Sequence, residues 1–133
     1  MSIFHDQATF MKAAGNTYPE CCTKDMLVLA DTLVKEEFKE LVNEVLSYVD
    51  TDHLNVNEVK ETLDLIYVAA QKLNTLIGPD KALACWDALQ ANNMSKCVEG
   101  KLVKAENGKV LKPSGYKKLN LAPIVFSNLT LDL

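Results

Sequence analysis

Apolar and polar residues alternate over the first two thirds of the chain with the period of an α-helix. A short helix is predicted over residues 3–14, where Gly15 is placed to end it. A second, long amphipathic helix should start at a cap formed by Thr23 or Asp25 and run to about Val49. The N-terminal part of the chain is therefore expected to be helical.

The next segment predicts the most apolar helix of the chain and a fourth helix after it. Asn55, with Glu58 three residues later, approximates a capping box at the start of the third helix. Gly78 and Pro79 should end this helix, since glycine is common just after a helix and proline is common at the first position of the next one. The fourth helix is expected over about residues 80–93.

The last third of the chain has a different pattern. Asn107-Gly108 stands between two short apolar runs, which predicts a β-hairpin with a type I′ turn. Pro113, Gly115 and Pro123 then favour an irregular, extended tail over a fifth helix. The predicted fold class is all-α, with four helices, a short C-terminal β-hairpin and an extended tail.

Length and composition favour a single domain. A chain of 133 residues with 48% hydrophobic content can bury one core but hardly two. We expect a helical core over about residues 1–97 and a basic hairpin and tail over residues 98–133. No apolar run reaches the roughly 18 residues of a membrane span, and the N-terminus lacks a signal-peptide pattern. The protein is expected in the cytoplasm, without a membrane partner and with its four cysteines reduced.

Charge is distributed unevenly along the chain. Residues 1–95 carry 7 Lys against 15 Asp and Glu, a local charge of −8. Residues 96–118 carry 7 Lys against 2 Glu, a local charge of +5. All 14 basic residues are lysines, so no arginine offers its bidentate fork to a phosphate. This pattern fits a small phosphate-bearing ligand better than a nucleic acid, which would favour a larger basic surface with interleaved aromatics.

Carboxylates interrupt the apolar faces predicted for the second and third helices. Glu37 and Glu40 extend an otherwise apolar stripe of the second helix, whereas Glu36 points beside that stripe. On the third helix, Asp64 is the one charge in an apolar run, and Glu61 precedes it by about one turn. A buried ionised carboxylate is costly unless it is paired, hydrogen-bonded or bound to a metal. Two packed helices would present four carboxylates to one point.

Four neighbouring carboxylates repel one another, and protons, lysines or a hard cation can relieve the repulsion. Lysines are a poor solution by helical position, because Lys35 and Lys39 lie on the far side of the second helix and Lys60 lies on a different face from Glu61. Oxygen ligands favour Mg²⁺, Mn²⁺ or Ca²⁺ over zinc. Neither His5 nor His53 supplies the Glu-x-x-His element of a di-iron bundle.

The acidic segments also match a known motif. Residues 36–40, Glu-Glu-Phe-Lys-Glu, and residues 61–64, Glu-Thr-Leu-Asp, resemble the EExxE and ExxD motif of the all-α nucleoside triphosphate pyrophosphohydrolases, the MazG-like group. The resemblance covers roughly residues 10–123. Three further blocks are similar to the C-terminal portion of short, single-domain MazG-like proteins, including phage-encoded ones: residues 92–96, 108–112 and 115–116.

The resemblance implies a four-helix MazG-like bundle that forms a homodimer or homotetramer. It implies Mg²⁺-dependent hydrolysis of a (deoxy)nucleoside triphosphate to the monophosphate and pyrophosphate, with Mn²⁺ able to substitute. Such an enzyme controls or cleanses the nucleotide pool of the cytoplasm, or of the host cytoplasm if the protein is phage-encoded. A purine deoxynucleotide is the working guess for the substrate. Carried over by position, the metal ligands would be Glu37, Glu40, Glu61 and Asp64, with Glu36 either supporting these ligands or orienting the attacking water.

The basic C-terminal segment gains a role from the same resemblance. Its lysines would neutralise those phosphates of the substrate that the metal does not reach. The expected substrate-binding residues lie in or beside the matching blocks: Asn93, Lys96, Lys109, Lys112 and Tyr116.

Two other functions remain open. One is the related phosphoribosyl-ATP pyrophosphohydrolase of histidine biosynthesis, which shares the helical scaffold but should lack the long lysine-rich segment after the fourth helix. The other is a non-catalytic helical module that associates through its amphipathic faces and uses its acids for solubility.

Overall fold

A computed structural model of the chain describes residues 2–15, 18, 23–47 and 54–127. The elements are, in chain order, α1 (Ile3–Ala13), α2 (Lys24–Ser47), α3 (Val56–Met94), β1 (Cys97–Val98), β2 (Lys101–Leu102) and α4 (Ala122–Val125). The prediction of a mainly helical chain is confirmed. Internal contacts divide the chain into two compact units, residues 1–82 and residues 83–133. The single domain stays a prediction.

The starts of the first three helices are fixed by the polar side chains that precede them. The Oγ of Ser2 accepts from the backbone N–H of His5 at 3.3 Å, and the Oγ1 of Thr23 accepts from that of Met26 at 3.2 Å. The Oδ1 of Asn55 accepts from two backbone N–H groups at the start of α3. The predicted caps at residues 23 and 55 are thereby confirmed. The predicted end of the second helix, near residue 49, lies outside the described residues.

Gly78 divides α3 into two helical segments. Its φ of 79° and ψ of 161° are not helical, and a residue with a Cβ would be strained at this φ. Pro79 follows at the first position of the second segment, where its missing N–H costs no helical hydrogen bond. The predicted end of one helix and start of another at Gly78-Pro79 is confirmed.

In the first unit, α2 runs antiparallel to α3. Lys72 forms an ion pair with Asp31 near one end of the two helices. At the other end, the Nδ2 of Asn55 donates to the Oε1 of Glu44 at 3.0 Å. Residue numbers therefore rise along α2 as they fall along the facing part of α3.

Among the shielded residues of each helix, one set recurs at alternating spacings of three and four. This is the spacing of two helices that pack side by side like a short antiparallel coiled coil. We call these positions the seam. On α2 the seam comprises Leu27, Ala30, Val34, Glu37, Leu41 and Glu44, and on α3 it comprises Glu58, Glu61, Leu65, Val68, Lys72 and Thr75. Glu37 and Glu61 thus lie at positions that a structural helix pair fills with apolar side chains.

The helix α1 packs against another side of α3. The Nδ2 of Asn74 donates to the backbone carbonyl of Phe4 at 2.9 Å and to the Oε1 of Gln7 at 2.8 Å. Further along, the rings of Phe10 and Tyr67 meet edge to face with centroids 5.8 Å apart. These contacts hold α1 antiparallel to the first segment of α3.

The second unit contains a tight hairpin that the sequence pattern did not reveal. Strands β1 and β2 pair antiparallel, with Val98 opposite Lys101. The two residues between them, Glu99 and Gly100, have φ values of 51° and 77°. Positive φ at both central residues is the signature of a type I′ turn.

The chain also reverses at Asn107-Gly108, but by a different turn from the predicted one. The N–H of Gly108 donates to the carbonyl of Ala105 at 2.9 Å, and Lys104 bridges to Val110. Gly108 has a φ of 84°, whereas among the described non-glycine residues only Glu99 has a positive φ. The predicted type I′ turn is therefore wrong here. The geometry is that of a three-residue loop, in which a type I turn is followed by glycine.

Residues 111–121 have no helix or strand, yet the one-turn helix α4 follows them. Pro123 lies at the start of this helix, where its fixed φ suits the first turn. Proline therefore opens a short helix instead of preventing one, which corrects the prediction of a wholly irregular tail. Within the described residues, no helix has both the length and the apolar character needed to cross a bilayer. Neither of the two described cysteines, Cys85 and Cys97, forms a disulfide, and the other two cysteines lie outside the described residues.

Candidate functional site

Three of the predicted site residues converge on one point of the first unit. Glu37 comes from α2, whereas Glu61 and Asp64 come from consecutive turns of α3. Each offers one carboxylate oxygen, and the three oxygens lie within 4.8 Å of one another. We call these three residues the carboxylate triad. The antiparallel pairing of the two helices produces it, since the seam places Glu37 opposite the turn between Glu61 and Asp64.

Part of the triad is shielded from solvent without being satisfied. The side chain of Glu61 is 17% exposed and that of Asp64 is 36% exposed. One oxygen of Glu37 and one of Glu61, the Oε2 atom in each case, are buried and have no hydrogen-bond partner. Buried oxygens without partners are destabilising, so the site has unused capacity to accept hydrogen bonds or to coordinate a cation.

The surroundings of Glu37 make its ionisation unfavourable. Burial raises the pKa of Glu37 above its ordinary value of 4.5, and a hydrogen bond with the Glu40 side chain raises it further. The negative charges of Glu40, Asp64 and Glu61 act in the same direction. A cation bound among these groups would reverse this effect, because it favours the ionised form.

The two other predicted acids take different positions. Glu40 contacts Glu37 through the hydrogen bond just described, but it is exposed and lies outside the carboxylate triad. Glu36 is exposed as well, consistent with its position beside the seam. The structure thus separates the five predicted acids into a triad, one neighbour and one surface residue.

Lys60 corrects the expectation that no lysine reaches the acids. Its Nζ lies 2.6 Å from the Oδ2 of Asp64 and 3.7 Å from the Oε1 of Glu61. Residues four apart share one side of a helix, so Lys60 lies next to Asp64 although its Cα precedes that of Glu61. The hydrogen bond to Asp64 is the main cause that raises the pKa of Lys60.

The donor set fits a hard divalent cation. Carboxylate oxygens without nitrogen or sulfur ligands are the preference of Mg²⁺ and Mn²⁺. The ligand oxygens of one Mg²⁺ lie at most about 4.2 Å apart, so a small inward movement of the side chains would bring the triad to that geometry. The buried Oε2 atoms of Glu37 and Glu61 support the fit, since coordination would satisfy them.

A groove that sequence reasoning missed adjoins the triad. It has a volume of roughly 240 Å³ and lies between α1 and α3, with Asp64 in its wall. Its other lining residues are mainly apolar: Ile3, Asp6, Leu63, Ile66, Tyr67 and Ala70. No spacing in the sequence points to it, because two of its seven lining residues come from α1, whose packing on α3 depends on the tertiary contacts of Gln7 and Asn74.

In the second unit, several predicted substrate-binding residues surround Tyr116. The Nζ atoms of Lys96 and Lys112 lie 5.8 Å and 5.5 Å from the centre of its ring. Lys96 also donates to the Oδ1 of Asn93 at 3.1 Å, and the hydroxyl of Tyr116 donates to Asn92 at 2.8 Å. Four of the five predicted residues therefore form one cluster.

Lys109 does not share that position. It lies exposed at the turn that contains Gly108, where its backbone N–H donates to the Oδ1 of Asn107 at 3.0 Å. Beside Tyr116, the second unit has a groove of roughly 710 Å³ whose wall includes Asn92, Lys117 and Lys118. The two lysines are the charged residues of its wall.

No protein-family model matches the sequence, and no curated protein matches it either. The resemblance to the MazG-like group therefore rests on the sequence motifs, and the chemical character of the site rests on the geometry described above.

Proposed function

We propose that the protein is a Mg²⁺-dependent pyrophosphohydrolase with the four-helix MazG-like architecture. It would cleave a (deoxy)nucleoside triphosphate to the monophosphate and pyrophosphate, with Mn²⁺ able to replace Mg²⁺. The observation that carries this proposal is the carboxylate triad, whose oxygens lie within 4.8 Å of one another where α2 faces α3. The motif resemblance adds the type of reaction.

The position of the triad favours a functional role over a structural one. Apolar residues at seam positions stabilise a helix pair, whereas closely spaced carboxylates there repel one another. Glu37 and Glu61 each leave one buried oxygen without a partner, which adds a further cost. Acids that only improved solubility would lie on the exposed faces of the helices.

The residues of the site divide the work as follows. Glu37, Glu61 and Asp64 would hold the cation, and Glu40 would complete the set from its position against Glu37. Glu36, exposed at the edge of the site, would orient the attacking water. The bound cation would supply neutralisation of the triphosphate oxygens and a lower pKa for a coordinated water.

The first unit offers a candidate surface for the nucleoside part of the substrate. The groove between α1 and α3 shares Asp64 with the triad, and its apolar wall suits a nucleoside, with a purine deoxynucleoside as the working assumption. The motif resemblance also assigns phosphate binding to three lysines of the second unit: Lys96 and Lys112, which surround Tyr116, and Lys109.

We also propose a homodimer or homotetramer. Within the first unit, the fully buried apolar side chains among the described residues are few and mostly small: Phe4, Ala30, Ala70 and Ala82. Large apolar side chains remain exposed on α2 and α3, among them Phe38 at 57%, Leu46 at 77% and Leu63 at 60%. An exposed apolar surface of this extent is typical of a protein interface, and a second copy of the chain is the partner that the resemblance implies.

A screen of the eight common nucleoside and deoxynucleoside triphosphates tests the reaction. We expect Mg²⁺-dependent release of pyrophosphate and the monophosphate, with no orthophosphate until a pyrophosphatase is added. Phosphoribosyl-ATP serves as a ninth substrate and distinguishes the histidine-pathway reaction. A chain that releases pyrophosphate from none of the nine substrates, with either Mg²⁺ or Mn²⁺, would be the non-catalytic helical module.

A further inference from the structure

The carboxylate triad already contacts one cation of the protein's own. The ammonium of Lys60 touches two of its three members, Asp64 at 2.6 Å and Glu61 at 3.7 Å. By comparison, the ion pair between Lys72 and Asp31 joins one lysine to one carboxylate away from the triad. Lys60 therefore differs from an ordinary surface lysine, because its charge offsets the repulsion within a cluster of acids.

The same contacts conflict with a divalent cation. A cation coordinated by Asp64 and Glu61 would stand within a few ångströms of an ammonium that holds the same two side chains. Like charges at about 4 Å repel strongly where solvent screening is incomplete. The ammonium must move for the divalent cation to bind, and it can do so because the Lys60 side chain is 65% exposed.

We propose that Lys60 is a built-in counter-cation of the triad, which a divalent cation displaces and which then binds a phosphate group of the substrate. The proposal rests on the function proposed above. Lys60 is anchored one turn before Asp64, so its displaced ammonium stays beside the site where a triphosphate would meet the metal. Metal binding and phosphate binding are then coupled, since the divalent cation releases the Lys60 ammonium and this ammonium then binds the phosphate.

The proposal predicts opposite effects of Lys60 on two ligands. Because Lys60 forms an ion pair with Asp64, only a fraction of the molecules is able to bind metal. The apparent affinity for the metal is therefore lower. Lys60→Met should therefore bind Mn²⁺ about three- to tenfold more tightly than the wild type. With the metal site saturated, the same variant should bind inorganic triphosphate at least about threefold more weakly, because a phosphate contact is lost.

Calorimetric titration of the intact protein measures both affinities without turnover of a nucleotide. Lys60→Arg keeps the positive charge and should stay close to the wild type for both ligands. Lys72→Met is the matched control, since it removes the ion pair with Asp31 outside the triad and should leave both affinities unchanged. Circular dichroism of each variant verifies that it is folded.

The outcomes separate this proposal from the proposed function. Tighter Mn²⁺ binding together with weaker triphosphate binding in Lys60→Met supports it. An unchanged or weaker Mn²⁺ affinity in that variant overturns it, as does an unchanged triphosphate affinity. If the wild type and Asp64→Asn both fail to bind Mn²⁺, the proposed metal site itself is wrong.

Discussion

At the scale of single residues, Glu37 best illustrates the unfavourable interactions within the site. It lies on the seam, one of its oxygens is buried without a partner, and three other acids act on it. Its raised pKa means that the folded protein favours the protonated form more than the unfolded chain does. The stabilisation that comes from protonated Glu37 is fully present below the ordinary pKa of a glutamate. It is lost as the pH rises through the pKa of Glu37 in the folded protein.

Glu37→Gln should therefore remove a pH dependence of stability. Without divalent cations, the free energy of unfolding of the wild type should fall relative to the variant as the pH rises above the ordinary value of 4.5. Urea denaturation between pH 4 and pH 8 measures the difference. Glu36→Gln, at the exposed neighbouring position, serves as the control. A constant difference between wild type and Glu37→Gln over this range would contradict the described environment of Glu37.

The sequence identified the acids of the site but misjudged their surroundings. Asp64 was expected to be partly buried because its neighbours are apolar, and its side chain is 36% exposed, but Glu61 is more shielded, at 17%. The reason is that Leu63 and Ile66 are themselves exposed, at 60% and 45%. Lys60 was misplaced because its long side chain reaches a residue four positions later, which the direction of its Cα does not show.

At the scale of elements, the seam explains how two helices build a site. Local signals were sufficient to predict the helices themselves, since Thr23, Asn55 and Gly78 act through neighbouring backbone groups. Residues at alternating spacings of three and four pair α2 with α3. A stripe of residues defined at 100° per residue does not distinguish these positions from their neighbours. The turn at Glu99-Gly100 was missed because glutamate rarely adopts a positive φ, so the dipeptide carries little signal.

Replacing the seam glutamates should stabilise the helix pair at the expense of the site. In the double variant Glu37→Leu/Glu61→Leu, apolar side chains would replace two repelling acids. We expect the free energy of unfolding to rise by about 1–2 kcal/mol in the absence of divalent cations, measured by urea denaturation.

The double variant should also lose any stabilisation by Mn²⁺, because two of the three triad carboxylates are absent. Lys39→Leu introduces the same side chain at an exposed position of α2 and controls for helix propensity. A double variant that is less stable than the wild type would show that the glutamates contribute to folding, contrary to the role proposed for them.

At the scale of the whole molecule, the exposed apolar surface of the first unit is the dominant feature. Helix periodicity indicates which faces of the helices are apolar, but it gives no information on which part of the chain or which partner covers these faces. In the described chain, apolar residues such as Phe38 and Leu46 on α2 remain exposed. The predicted homodimer or homotetramer would supply the missing cover.

Light scattering coupled to gel filtration tests this prediction at micromolar concentration. We expect two or four times the chain mass of 14.7 kDa. Leu46→Glu and Leu63→Glu place charges on the exposed apolar faces of α2 and α3, so they should shift the protein towards the monomer. A wild-type monomer at this concentration would contradict the prediction.

The central claim is that the carboxylate triad binds a divalent cation for pyrophosphate release. Its most direct test compares Asp64→Asn with Asp31→Asn, which changes an acid of the same unit that is ion-paired with Lys72 outside the triad. Mg²⁺-dependent pyrophosphate release from the best triphosphate of the screen is measured for each folded variant. The account predicts a loss of at least about 100-fold for Asp64→Asn and a nearly unchanged rate for Asp31→Asn. Equal rates for Asp64→Asn and the wild type would contradict it.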